Sequence, residues 1–78
     1  MSLKGKVYEI WVALNKIREE GYIELDFNLL SELIQSYVRI SSTELLYYLE
    51  NHANDLQVRI IRKNDKILVK LKEIDKGP

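Results

Sequence analysis

The stretch LQVRIIRKNDKILVKLK, residues 56–72, decides the fold that we expect. Two runs rich in aliphatic residues alternate with charged residues, and Asn64 and Asp65 separate them, which predicts a β-hairpin with a two-residue turn. In that register Lys63 lies opposite Lys66. The side that faces the rest of the protein is then formed by Val58, Ile60, Ile67, Val69 and Leu71.

The opposite side of this hairpin is predicted to be cationic. It carries Arg59, Ile61, Lys63, Lys66, Leu68, Lys70 and Lys72, with Arg62 near the tip. Residues 57–72 hold six basic residues against Asp65 alone, a net charge of +5. Residues 19–55 hold eight acidic residues against Arg39 alone, a net charge of −7, although the whole chain is neutral. The chain therefore carries an excess of positive charge on the hairpin and of negative charge before it.

Three amphipathic segments precede the hairpin and predict helices. Apolar residues recur at helical spacing over residues 4–20, and Gly21 then favours a helix end because glycine adopts the left-handed conformation easily. Helix 2 is expected over about residues 28–37 and helix 3 over about 42–54. Between the first two helices, the alternating segment 22–27 predicts a short edge strand.

Capping patterns and apolar stripes support these boundaries. Asp26 or Asn28 can cap helix 2, and Ser41 with Glu44 forms a capping-box pattern before helix 3. In helix 1 and the strand, the predicted inward residues are Val7, Ile10, Trp11, Leu14, Ile17, Ile23 and Leu25. In the later helices they are Leu29, Leu30, Leu33, Ile34, Tyr37, Leu45, Leu46, Leu49, Ala53 and Leu56.

The order helix, short strand, helix, tight turn, capped helix and hairpin is similar to that of winged-helix proteins. Residues 30–49 resemble their helix–turn–helix core, with Ile40 and Ser41 where such proteins often have a small hydrophobic residue and the cap of the recognition helix. The resemblance covers about residues 6–73. It implies an α+β winged-helix fold of three helices, with a short strand after helix 1 and the C-terminal hairpin as the wing.

Length and composition limit what the chain can do. We expect one domain over residues 1–78, with an ordered core of about residues 4–74. Cysteine is absent, so the chain has no disulfide or thiol nucleophile. No segment approaches the roughly 18 apolar residues of a membrane span, and no signal peptide is evident, so a soluble cytoplasmic protein without membrane partners is expected. Richness in Ile, Lys and Glu favours a thermophilic source.

Catalysis and cofactor binding are not expected. His52 is the sole histidine, so a metal site would lack ligands. The neighbouring acids Glu19, Glu20, Glu24 and Asp26 lack the ordered loop of a calcium site, and a solvated acidic surface is the simpler interpretation. A domain of this size also has little volume for a small-molecule pocket. We expect no catalytic residue, metal, cofactor or small-molecule substrate.

The resemblance implies nucleic-acid binding, with DNA as the expected partner, in transcription regulation or replication. Neutralisation of phosphates supplies much of the affinity of a protein for duplex DNA. Helix 3 carries no Lys or Arg, so in this hypothesis the basic wing binds the phosphates. Polar residues of helix 3 approach the bases or the backbone. The candidate residues are Arg59, Arg62, Lys63, Lys66, Lys70, Ser42, Thr43, Tyr47 and Asn51.

Protein binding is the alternative hypothesis. The outer wing face also holds Ile61 opposite Leu68, and Tyr47 and Tyr48 lie on the outer side and flank of helix 3; tyrosine is enriched in interfaces. In this hypothesis the domain docks on a larger assembly, or forms a homodimer, through helix 3 and the outer wing face. Isolated surface aliphatics and tyrosines are common, and a cationic hairpin also prevents sheet-to-sheet aggregation, so the sequence leaves both hypotheses open.

Overall fold

The computed structural model describes residues 4–71, which form four helices and a three-stranded antiparallel sheet. The helices are α1 (Gly5–Glu19), α2 (Phe27–Gln35), α3 (Ser42–Asn51) and α4 (Ala53–Leu56). The strands are β1 (Glu24–Asp26), β2 (Arg59–Lys63) and β3 (Lys66–Lys70). The chain is therefore an α+β protein, as the sequence predicts. The predicted outward position of Lys72 and the predicted frayed tail after Ile74 lie outside the described residues.

The predicted caps are present. Gly21 follows α1 with φ +103°, in the left-handed region that glycine adopts without strain. Asp26, rather than Asn28, caps α2: its Oδ2 accepts from the Asn28 N–H at 2.9 Å. At α3 the capping box is complete, because the Glu44 N–H donates to Ser41 Oγ at 3.1 Å and the Ser41 N–H donates to Glu44 Oε1 at 3.2 Å. These bonds fix where both helices begin.

The prediction of a single helix up to residue 54 is wrong in one respect, because the helix breaks at His52. His52 has φ −128° and ψ 30°, outside the helical region, and α4 follows as one short turn. Gln57 then takes a left-handed conformation with φ +60°, and its N–H donates to Asn54 O at 3.2 Å. The Val58 N–H donates to Ala53 O at 3.0 Å, which completes a Schellman-type end. The chain thereby turns from α4 into β2.

The strand order in the sheet is β1-β3-β2, so the hairpin's second strand is central and β1 is an edge strand, as predicted. The hairpin register is the predicted one, with Lys63 opposite Lys66 and Ile60 opposite Val69. Strand β1 pairs antiparallel with β3 and places Leu25 opposite Val69. Leu25, Val69 and Ile60 therefore form one row on the side of the sheet that faces the helices.

The core lies between the helices and this inner side of the sheet. Its buried apolar residues are Ile10, Ala13, Leu14, Ile17, Leu25, Phe27, Leu30, Ile34, Val38, Ile40, Leu45, Leu49, Leu56, Val58, Val69 and Leu71. Three residues predicted to point inward are exposed instead, namely Ile23, Leu29 and Tyr37. Ile23 precedes β1 and Tyr37 follows the end of α2, so neither obeys the periodicity assumed for it. Helix α2 begins at Phe27, and its buried face therefore excludes Leu29.

Arg18 joins the ends of three elements. Its Nε donates to Leu71 O at 2.7 Å, and its Nη2 donates to the carbonyls of Leu56 and Gln57 at 2.7 and 2.8 Å. Its Nη1 donates to Asn15 Oδ1 at 2.9 Å. Desolvation by partial burial lowers the pKa of the Arg18 guanidinium. Arg18 thus ties the end of α1 to the end of α4 and to the residue after β3.

Candidate nucleic-acid interface

The exposed side of the sheet is organised in three cross-strand rows. Residues directly opposite one another share a face, so the register defines each row. From the base of the hairpin to its tip, the rows are Glu24–Lys70–Arg59, Asp26–Leu68–Ile61 and Lys66–Lys63. The structure therefore brings together four of the five predicted wing cations on one face: Arg59, Lys63, Lys66 and Lys70.

The tip row consists of two lysines alone. Lys63 and Lys66 are both exposed and lie directly opposite each other. Like charges at such positions destabilise a strand pair. Strand β1 stops opposite Leu68 and contributes no acid to this row, and within residues 4–71 no carboxylate forms an ion pair with either lysine. Positive charge is therefore concentrated at the hairpin tip, beside Asp65 in the turn.

The base row is more balanced. Glu24 of β1 lies opposite Lys70, which lies opposite Arg59. Lys70 is half-buried, whereas Arg59 is exposed. The third strand thus compensates part of the cationic charge at the base of the hairpin but none at its tip.

Arg62 differs from the other four cations of the hairpin. It lies opposite Ile67, on the side of the hairpin that faces the helices, and its Nη2 forms an ion pair with Glu50 Oε2 of α3. Both side chains are partly solvent-exposed. The pair links α3 to the distal half of β2. The sequence contains a signal for this position, because Arg62 lies two residues after the inward residue Ile60 and therefore on the same face of the strand.

The polar candidates on α3 are largely engaged within the protein. Ser42 Oγ shares a 2.7 Å hydrogen bond with Ser31 Oγ, and Ser31 is a buried residue of α2. Asn51 Nδ2 donates to Tyr47 O at 2.8 Å, within the same helix. Thr43 is exposed. Ser42 therefore fixes α3 against α2, and sequence inspection missed its partner because that partner belongs to another helix.

The aromatic candidates form a row on α3. Tyr47 is 60% exposed, and its ring meets that of Tyr48 edge to face with centroids 5.6 Å apart. The Tyr48 ring stacks on His52 at 6.0 Å, and His52 Nδ1 lies 3.6 Å from Asp55 Oδ2. The sole histidine is thus in contact with the Tyr48 ring and the Asp55 carboxylate.

The aliphatic pair of the alternative hypothesis, Ile61 and Leu68, lies in register on the outer face of the hairpin, as predicted. Both residues are half-buried rather than fully exposed. The pair separates the lysine row at the tip from the cations of the base row. It therefore gives the cationic face an apolar centre.

Within residues 4–71, no group of three or more His, Cys, Asp or Glu side chains is arranged to hold a metal ion. None of the helices in this range is long and apolar enough to cross a membrane. Comparison of the chain with models of protein families, with curated proteins and with solved structures finds no match.

Proposed function

We propose that this chain is a winged-helix domain that binds nucleic acid, most directly duplex DNA, through the basic face of its hairpin. The order of elements supports the assignment, since α2 and a capped α3 are followed by a short turn and a hairpin. In this proposal α3 is the recognition helix and the β2–β3 hairpin is the wing. The setting is transcription regulation or replication in the cytoplasm.

The observation that carries the proposal is the exposed pair Lys63 and Lys66 at the wing tip. Their opposition costs stability within the protein, and a phosphate between them would convert that repulsion into attraction. Arg59 and Lys70 extend the same face towards the base of the wing. Four cations on one face provide the phosphate contacts that α3 lacks.

The acids of α3 are less of an obstacle than the sequence indicates. Glu44 is held in the capping box, where its carboxylate accepts from the Ser41 N–H. Glu50 is paired with Arg62. Both negative charges are therefore partly compensated within the protein, and their repulsion of a nearby phosphate is reduced. In this proposal Tyr47, Thr43 and Asn51 of α3 contact the bases or the backbone of the nucleic acid.

A salt titration tests this function. Affinity for a random-sequence duplex should fall roughly a hundredfold between about 50 and 200 mM salt, as expected when about four phosphates are neutralised. Fluorescence anisotropy of labelled duplex gives the affinities, and a lysate pull-down is carried out in parallel. A parent protein that does not bind duplex at low salt would contradict the proposal.

The Arg62–Glu50 pair yields a separate prediction. Arg62→Ala should weaken duplex binding several-fold, because it exposes the charge of Glu50 near the phosphates. Adding Glu50→Gln should restore most of the loss, since the uncompensated carboxylate is removed. Anisotropy titrations of the parent, both single variants and the double variant measure the coupling. If the double variant binds as poorly as Arg62→Ala, Arg62 contacts phosphate itself and the compensation argument is wrong.

The exposure of Tyr47 favours a second candidate function, protein docking. A largely exposed tyrosine packed edge to face on Tyr48 is a rigid amphipathic surface of the kind that interfaces use. In this candidate function Ile61 and Leu68 extend the contact to the wing. A stoichiometric protein partner in the pull-down, together with no duplex binding, would favour it over the first proposal. Dimerisation would require the protein to sediment as a dimer.

A further inference from the structure

We propose that the edge of β2 that is unpaired within residues 4–71 binds an extended acidic peptide segment of a partner protein, which adds to the sheet as a fourth strand. This inference does not depend on the proposed nucleic-acid function. It rests on the backbone of β2, on the groove beside it and on the distribution of charge along it.

Among residues 4–71, no other segment of backbone pairs with β2 on the side away from β3. In a hairpin with a two-residue turn, Lys63 and Lys66 form a hydrogen-bonded pair, and bonded and non-bonded pairs alternate from there. Ile60 and Arg62 are therefore in pairs that form no backbone hydrogen bonds with β3, and their N–H and C=O groups point away from β3, towards the outer edge of β2. β2 is an outer strand of the sheet formed by residues 4–71. Such a row of donors and acceptors is a template for another strand.

Helix α4 marks where this outer edge begins. Val58 belongs to the same alternation as Ile60 and Arg62, and its N–H is already occupied by Ala53 O at 3.0 Å. Beyond Val58 the edge opens onto a groove of about 490 Å³ between β2 and the α3–α4 end. The residues that line the groove include Ala53, Val58 and Ile60, together with the amide side chains of Asn54 and Gln57. The groove thus offers apolar contacts and polar side chains beside an open strand.

The positive charge beside the groove favours an acidic peptide as its occupant. Arg59 and Lys70 line the groove, and the one acid in its lining, Glu50, is already paired with Arg62. An extended segment beside β2 would lie across from Lys63 and Arg59 on the outer face of that strand, with Lys70 of β3 one strand further away. Carboxylates on the segment would therefore face positive charge, and opposite charges across strands are stabilising.

A second copy of this chain fits the edge poorly. The antiparallel two-fold pairing that uses the outward groups of Ile60 and Arg62 is centred on Ile61. It would place Arg59 of one copy opposite Lys63 of the other, where like charges repel. The cations on this edge thus disfavour self-association and favour an acidic strand.

The experiment uses the full chain labelled with ¹⁵N and a synthetic peptide that alternates glutamate and valine. We expect chemical-shift changes centred on residues 58–62 and slower amide exchange at Ile60 and Arg62. A peptide that alternates lysine and valine, and a glutamate–valine peptide with N-methylated backbone amides, should each bind at least about tenfold more weakly.

A matched pair of variants tests the edge from the protein side. Arg62→Pro and Arg62→Ala both lose the contact with Glu50, but only proline removes the outward N–H, at a position where an edge strand tolerates proline. We expect Arg62→Pro to bind the glutamate–valine peptide about tenfold more weakly than Arg62→Ala. Because the N-methylated peptide leaves the protein unchanged, it gives the same test if Arg62→Pro fails to fold.

Four results would overturn the inference: no binding of the acidic peptide, equal binding of the lysine peptide, equal affinity of the two Arg62 variants, or shifts confined to residues outside the groove. Concentration-dependent shifts of the same resonances without peptide would assign the edge to a second copy. Shifts at residues 58–62 caused by a single-stranded oligonucleotide but not by the acidic peptide would assign it to nucleic acid.

Discussion

Replacing Arg18 by methionine is expected to lower the free energy of unfolding by about 2 kcal/mol, as measured by urea denaturation. The guanidinium donates to three backbone carbonyls, those of Leu56, Gln57 and Leu71, and to the side chain of Asn15. Methionine keeps much of the aliphatic stem but leaves these carbonyls without their donor. Because the site is only partly buried, water replaces some of the lost bonds and limits the cost.

Two comparisons separate the role of Arg18 from a general effect of charge. Lys16→Met removes a positive charge from an exposed position on the same helix and should change stability by less than about 0.5 kcal/mol. Arg18→Lys keeps the charge but loses the forked geometry, so its stability should lie between those of the parent and Arg18→Met. Equal stability of Arg18→Met and Lys16→Met would show that the Arg18 contacts do not hold the three elements together.

The double variant Lys63→Ala and Lys66→Ala is expected to bind random-sequence duplex roughly fiftyfold more weakly than the parent at about 0.1 M salt. Each phosphate contact releases about 0.9 counterion, so two lost contacts account for a reduction of this size. The same variant should be at least as stable as the parent, because it removes a repulsive cross-strand pair. Loss of affinity without loss of stability would identify the lysine pair as binding residues.

Lys16→Glu is the matched control for this double variant. It changes the net charge by the same two units, but on the exposed surface of α1 rather than on the hairpin. Its affinity for duplex should stay within about threefold of the parent, since distant surface charges are screened at this ionic strength. If Lys16→Glu weakens binding as much as the double variant does, net charge rather than the hairpin tip governs the interaction.

Much of the fold follows from local patterns in the sequence. The hairpin register could be predicted because a two-residue turn fixes which residues are opposite each other, and alternation fixes which face is buried. The start of α3 could be predicted because the capping box needs only Ser41 and Glu44, three residues apart. The same alternation predicts that four cations of the hairpin share its outer face.

The remaining features depend on contacts between distant residues or on unusual backbone conformations. Neither the helix break at His52 nor the left-handed turn at Gln57 occurs at a glycine, so the sequence contains no residue that predicts them. In the sequence Arg18 is an ordinary basic residue at the end of α1. Its carbonyl partners are 38 to 53 residues away along the chain, and only the folded structure places them next to it. The attachment of Arg62 to Glu50 likewise requires α3 and β2 to be packed together.

The proposed function requires the lysine-bearing tip of the hairpin to be a polyanion-binding surface. The most direct measurement is a titration of ¹⁵N-labelled protein with a short random-sequence duplex, followed by amide chemical shifts at low and moderate salt. We expect the largest shifts at residues 61–68, with smaller ones on the exposed side of α3, and we expect both to disappear as salt is raised. Shifts that leave residues 61–68 unchanged while other surfaces respond would contradict the proposed function.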